Sequence, residues 1–525
     1  MSRLAAAFIW IAISTAAVRA DVRSELERLL MGQATLAFGT AIDLDRLRPA
    51  YESHGYAPIW VTDKGISKSA LGLLIVIGSA AEDGLEPADY RAGLPEPIGT
   101  VRSSPDLARL ELLLSNAFLD LSRDMHAGRT TPAISQPDIV IPRKPVRALD
   151  WLDAARASGP DTVIRSLVPR HRQYAQLRSM LAGYRGIAAR GGWTPVPAGK
   201  TLKPGMDDAR IPALRANLVA RGYDSIDGGA APTIFDPDLE AVIKHFQRRH
   251  GLDVDGAVGP ATLAALNVMA DERIRQIVVN LERWRWLPED LGARYILVNQ
   301  AFFFLEVVEN GQVTDHRRVI VGKPFHKTPM FSDTIRYTEF NPTWTVPRSI
   351  AGSEILPKLR SNPGYLSRND MLVYSGSSSI DPYSVDWSSV SSQRFPYRIV
   401  QQPGTKNALG RVKFMFPNKF SVYLHDTPGR HLFSRTGRAF SHGCIRVEEP
   451  LDFAAFLLRA DQGLDRTAVD KIITSRKQTR VNLRKPVPVH LTYFTAWIDD
   501  DGIPQFFADI YGRDAIVRKV IDGAV

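Results

Sequence analysis

Phe440-Ser441-His442-Gly443-Cys444-Ile445-Arg446-Val447 contains the only cysteine in a chain of 525 residues. The glycine before the thiol lets the backbone turn tightly and lets a substrate approach the next amide. The amides of Gly443 and Cys444 are candidate donors for a developing oxyanion. A free thiol ionises at about 8.5, so a nucleophilic one needs a base or a positive charge beside it. Two histidines qualify: His442 inside the motif, and His425 nineteen residues upstream at the end of the strand-like run 421–425. Alternate residues of a strand share a face, so Tyr423 points the same way as His425 and offers a hydroxyl to the same pocket. A buried Cys packing as a small hydrophobe is the inert alternative. Zinc held by His425, Asp426, His442 and Cys444 is the metal alternative. The chain has no second Cys, no Cys-x-x-Cys and no His-Glu-x-x-His, so no metal and no cofactor is expected.

Apolar residues make up 44% and charged residues 23%, an ordinary globular balance. The length predicts about three domains. A net charge of +10 favours anionic surroundings. The charge is spread rather than striped and no nucleic-acid motif is present, so no nucleic-acid partner is expected. Arg3, the apolar stretch 4–18 and Ala17-Val18-Arg19-Ala20 read as a signal peptide over 1–20, cut after Ala20. An uncleaved N-terminal anchor is the alternative reading. Exported proteins use cysteines in pairs, so a lone Cys444 stands out as a reactive thiol.

The fold class expected is multidomain α+β. Residues 21–205 read as a helical scaffold. Leu107, Leu110, Leu114, Ala117, Phe118 and Leu121 lie on one helical face, and 71–81 and 175–184 also fit helices. A Gly/Pro-rich linker runs from Gly191 to Gly205. Residues 206–268 form a compact unit of three short helices, with Asp236 or Asp238 as a cap and Pro260 opening the third. Residues 269–525 form the last domain, and after the run 280–288 its texture turns to strands: 295–299, 302–309, 312–321, 334–340, 398–401, 412–416, 421–425 and 444–447. Asn310-Gly311 marks a two-residue hairpin. A final hairpin is expected from 487–498 and 503–511, and a helix over 450–458. Residues 347–397 are too long for a simple connection and read as an inserted lid.

His425, a spacer and Ser441-His442-Gly443-Cys444-Ile445-Arg446 resemble the signature of the L,D-transpeptidases with a YkuD-type catalytic domain. The wider chain is similar to their large periplasmic YcbB-like subfamily. The runs 280–288, 295–299 and 492–497 carry that likeness. Phe246-Gln247, Gly251-Leu252, Asp255-Gly256 and Thr262 resemble a peptidoglycan-binding module of three helices. The resemblance implies a β-rich, sandwich-like catalytic domain with a lid. It implies a periplasmic enzyme of wall synthesis and cell shape acting on peptidoglycan stem peptides as donor and acceptor. Cys444 would attack the third residue of a tetrapeptide stem, expel the terminal D-Ala and pass the acyl group to a neighbouring diaminopimelate, making a 3→3 cross-link. His425 would be the base, oriented by a backbone carbonyl, and carbapenems would acylate the thiol. Ser441, His442, Gly443, Tyr423 and Arg446 are the remaining candidates for the oxyanion and substrate. Water or an outer-membrane protein amine is an alternative acceptor, and a non-catalytic wall-binding scaffold is an alternative of another class. Small family members carry Gly after the base, where this chain has Asp426. Arg446 fits the family pattern, either as a clamp for a stem carboxylate or as a structural ion pair.

Overall fold

The computed structural model describes residues 21–32, 35–130, 137–223 and 229–523. The expected signal peptide, 1–20, lies outside them. The chain divides into two compact units, Met1–Ala127 with Pro145–Val168, and Gly128–Lys144 with Pro169–Val525.

The first unit is helical and built on α1 (Ser104–Ala127). Helices Val22–Leu30, Leu44–Glu52, Lys68–Ser79, Pro87–Arg91, Ala148–Ser158 and Pro160–Leu167 all pack on it. The expected stripe is buried, with Leu107, Leu110, Leu114, Phe118 and Leu121 fully inside. A helix surrounded on all sides must also bury polar residues, and α1 buries Glu111 and Ser115. The Glu111 carboxylate accepts from the N–H groups of Ile59, Trp60 and Val61 at 2.6–2.9 Å and from the Tyr51 hydroxyl at 2.5 Å. Three orphan amides of the turn at Trp60 are thereby satisfied in the core.

In the second unit, α2 (Arg172–Ala189) packs along α6 (Ala270–Trp286), and the Tyr174 hydroxyl accepts from Arg285. By contacts α2 lies in the second unit. Between them, α3 (Ile211–Ala220), α4 (Pro237–Arg249) and α5 (Pro260–Leu266) form a module around Leu214, Leu218, Ile243, Phe246 and Leu266. Asp236 caps α4 by accepting from Leu239 N–H at 2.8 Å.

The β-rich domain is one ten-stranded sheet. In chain order its strands are β1 (Ile139–Val140), β2 (Arg294–Asn299), β3 (Phe304–Glu309), β4 (Gln312–Gly322) and β5 (Met330–Phe340), followed by β6 (Val412–Met415), β7 (Leu424–His425), β8 (Ala439–Ser441), β9 (Ile445–Val447) and β10 (Thr479–Thr492). Pairing runs β6-β7-β9-β4-β3-β2-β10-β5, and β5 pairs back onto β6. The circuit closes, so its central strands have no free edge. Asn310 and Gly311 both have positive φ (50° and 80°), as the β3–β4 turn requires. The terminal hairpin is a correction: only Ala496–Ile498 and Pro504–Phe506 pair as one. Residues 487–491 instead extend β10, beside β5, after a bulge. The lid insertion has its own four-stranded sheet and its own core around Leu356, Leu359, Leu366 and Ile399.

Candidate active site

Strand β7 lies parallel to β9, with Leu424 opposite Ile445 and His425 opposite Arg446. The Ile445 N–H donates to Tyr423 O at 3.1 Å, so Tyr423 sits level with Cys444. Facing residues of a sheet share a face, and so do alternate residues of each strand. Cys444 and Arg446 from one strand therefore meet Tyr423 and His425 from the other on one surface. The Tyr423 and His425 rings lie 5.6 Å apart, edge to face.

The thiol is partly exposed. Its Sγ lies 3.8 Å from the carbonyl oxygen of Ser421, a residue held at φ 55°. Burial pushes the thiol's pKa up; hydrogen bonds from Tyr423 and the charge of Arg446 pull it down. Tyr423 itself is raised well above the usual phenol value by burial and by the neighbouring sulfur, so its hydroxyl stays protonated. His425 is buried, and burial and the Arg446 charge push it down to about 3, against backbone hydrogen bonds to Asp426 and Leu409. At neutral pH the resting pair is thus a neutral thiol and a neutral imidazole. The His425 Nδ1 lies 2.5 Å from Asp426 O, so Nδ1–H donates to this carbonyl and leaves Nε2 as acceptor.

Asp426 takes the place of the family's glycine without a positive φ. Its buried carboxylate accepts from the N–H groups of Arg411 and Thr427 at 2.8 and 2.7 Å. The Arg446 charge acts on both Cys444 and His425, and its buried Nε has no hydrogen-bond partner among the described residues.

The Ser-His-Gly turn is held from several sides. Gly443, at φ 113°, donates its N–H to Ser441 Oγ at 3.1 Å, and Ser441 Oγ donates to Cys444 O. The Gly443 amide is thus engaged, whereas the Cys444 N–H donates to no group among the described residues. Thr328 Oγ1 donates to Gly443 O at 2.8 Å. His442 turns away from His425. Its Nε2 meets Glu354 of the lid at 2.6 Å, and its ring lies 4.9 Å from that of His326.

Sequence reasoning missed Thr328, Glu354, Lys413 and Glu339. Lys413 faces His425 across β6 and β7, lies 5.7 Å from the Tyr423 ring and pairs with Glu339 at 3.2 Å. Each comes from a strand or insert remote in sequence, and only the sheet register brings it to the site. Among the described residues no group of three or more His, Cys, Asp or Glu is placed to hold a metal ion.

Residues 293–483 match the family model of the L,D-transpeptidase catalytic domain. Residues 207–266 match that of a "putative peptidoglycan binding domain", and residues 45–181 that of a scaffold domain. The chain carries a YkuD-type L,D-transpeptidase catalytic domain joined to a peptidoglycan-binding domain. A Haemophilus influenzae protein described as a "putative L,D-transpeptidase" is 35% identical over 241 residues, which are 46% of this chain and 48% of that protein. The chain thus spans about half the length of the curated relative it matches. Among solved structures, an L,D-transpeptidase from Xylanimonas cellulosilytica is matched over 56% of this chain and 99% of that one, at 14% identity and a TM-score of 0.17. One from Stackebrandtia nassauensis is matched over 57% and 97%, at 15% identity and a TM-score of 0.22. Likenesses this low add nothing to the assignment.

Proposed function

We propose that the protein is a cysteine L,D-transpeptidase that cross-links peptidoglycan stems 3→3 through a thioacyl-enzyme on Cys444. The observation that carries this reading is the shared sheet face of Cys444, His425, Tyr423 and Arg446. A tetrapeptide stem presents the carbonyl of its third residue to Sγ. As the C–S bond forms, the thiol proton passes to His425 Nε2, and the Cys444 N–H donates to the oxyanion. The C–N bond to D-Ala then breaks, and His425 returns its proton to the leaving amine. A histidine held near 3 is a strong acid once protonated, which suits this return. The acceptor amine attacks the thioester next, restoring the thiol.

Among the described residues Arg446 has no ion-pair partner, which favours a stem carboxylate as its counter-ion. Such a carboxylate would screen its charge and raise the basicity of His425 when substrate is bound. Domains that act on the cell wall place the protein's work outside the cytoplasm, in the periplasm on this reading, with 1–20 as the export signal. No described helix is long and apolar enough to cross a membrane. The larger plan, helical scaffold, binding module and lidded catalytic domain, is read as the YcbB-like arrangement.

Incubation with a disaccharide tetrapeptide, followed by mass spectrometry of products, tests the acceptor. Dimers linked between two diaminopimelates, with release of one D-Ala each, are expected. Tripeptide alone would make it a carboxypeptidase, and an adduct on an outer-membrane protein would make it an anchoring enzyme. No turnover by the folded chain would leave the wall-binding scaffold.

A further inference from the structure

A recess of about 900 Å³ opens between α2, the three-helix module and the Ala496–Ile498/Pro504–Phe506 hairpin. Its wall carries Arg190, Arg221 and Arg249, with Tyr184, Tyr223 and His245 among them, and no acidic side chain among the described residues. Arg273 and His250, each more than nine-tenths buried, stand beside it: the Arg273 and Arg249 charges act on Arg221, and burial and these arginines hold His250 well below its ordinary value, so it stays neutral.

Arg221 and Arg249 are held by neutral acceptors. Arg221 stacks 3.7 Å above the Trp193 ring and donates to Asn217 and to the carbonyls of Leu266 and Val268. Arg249 Nε donates to Pro504 O at 2.8 Å. Neutral acceptors satisfy the N–H groups but leave the charge uncompensated. Burial and the Arg273 charge push Arg221 down to about 9, burial pushes Arg273 down to about 10, and among the described residues neither makes an ion pair with a carboxylate. Buried cations without a counter-ion are costly, and a bound anion removes that cost. Among the described residues the Tyr223 hydroxyl, beside Arg249, has no hydrogen bond of normal geometry.

We propose that this recess is a second substrate site, which takes the carboxylates of a peptidoglycan stem peptide rather than the glycan strand. Guanidinium forks match carboxylates in two-pronged pairs. Ile187, Val242 and Ile503 offer the aliphatic wall that alanine methyls need. The volume lies in the range that encloses a short peptide, roughly 300–1,000 Å³. A glycan strand freed of stems brings no comparable anion. The inference rests on the peptidoglycan reading of the protein and locates, on the binding module, which part of the polymer is held.

The test is calorimetric titration of the full chain carrying Cys444→Ala, so that stems are not consumed. The titrants are soluble stem tetrapeptide and, separately, stem-free glycan. The second variant adds Arg190→Gln and Arg249→Gln; Arg221, which caps two carbonyls, is left alone. Two tetrapeptide sites are expected in the parent and one in the double substitution, the lost site weakening at least tenfold, with no binding of stem-free glycan. Identical isotherms, or no tetrapeptide heat in either protein, overturn the site. Stem-free glycan that binds the parent and not the double substitution overturns the choice of ligand. Acylation of Cys444 in a chain carrying only the two arginine substitutions should be unchanged. A Cys444 that cannot be acylated in the wild type or in that chain removes the catalytic reading, while the tetrapeptide titrations still decide the recess.

Discussion

Arg446 and His425 face one another across two parallel strands, and the guanidinium charge makes the imidazole harder to protonate. The same charge favours a thiolate at Cys444. Arg446→Gln should therefore move both groups upward. With His425 at about 3, the parent keeps a neutral base throughout the range above that value. In the variant His425 returns towards its ordinary value, so Cys444 acylation gains an acidic limb that the parent lacks. Alkylation of the thiol near pH 8 should slow by roughly three- to tenfold, since less thiolate is present. Rate profiles with a small alkylating agent and with a carbapenem check both effects. Superimposable profiles for the two proteins would show that the Arg446 charge is not felt. The nucleophile and its strand neighbours were legible in the sequence because a sole cysteine after Ser-His-Gly is a rare local pattern. Lys413, Glu339 and Thr328 were not, because nothing in their own surroundings marks them. The bond from the Gly443 amide to Ser441 was not legible either, because local spacing does not report hydroxyl orientation.

Elements with a clean apolar period were readable; those that bury charge were not. The α1 stripe and the module's α4 follow helical spacing, and Asn310-Gly311 gives its hairpin directly. Helix α6 hid because its buried face carries Arg283, Arg285 and Glu282, paired with Asp514 and with each other. The end of β10 was assigned to a hairpin because 487–498 reads as one run leading into the turn at 499–502; Pro488 within it is tolerated after a bulge. Glu111 in α1 gives a prediction at this scale. Burial, opposed by its hydrogen bonds, raises it to about 6 from an ordinary 4.5. The folded state thus holds the proton more tightly than the unfolded chain does. Its contribution is fully present below about 4.5 and is lost as pH rises through about 6, a fall of about 2 kcal/mol. Glu111→Ala should abolish this slope. It should also destabilise the helical unit by about 3 kcal/mol, since three buried N–H groups lose their acceptor. Urea unfolding at pH 4.5 and pH 7 measures both, and an unshifted midpoint in the variant would contradict the role assigned to this carboxylate.

Across the whole molecule, the sequence-level plan of helical region, binding module and β-rich catalytic domain agrees with the family models matched along the chain. The division by contacts is different in kind. Helix α2 joins the second unit because its apolar side packs on α6, a helix whose pattern is not visible in sequence. The lid reads in sequence as a long polar insertion, yet it folds around a core of its own and reaches back through Glu354 to the motif histidine. The catalytic reading rests on one atom, the Cys444 sulfur. The most direct measurement is the intact mass of the protein and of its Cys444→Ala variant after incubation with a carbapenem. One covalent adduct on the wild type and none on the variant is the predicted result. A folded wild type with no adduct, or an equal adduct on the variant, would contradict a thioacyl-enzyme at Cys444.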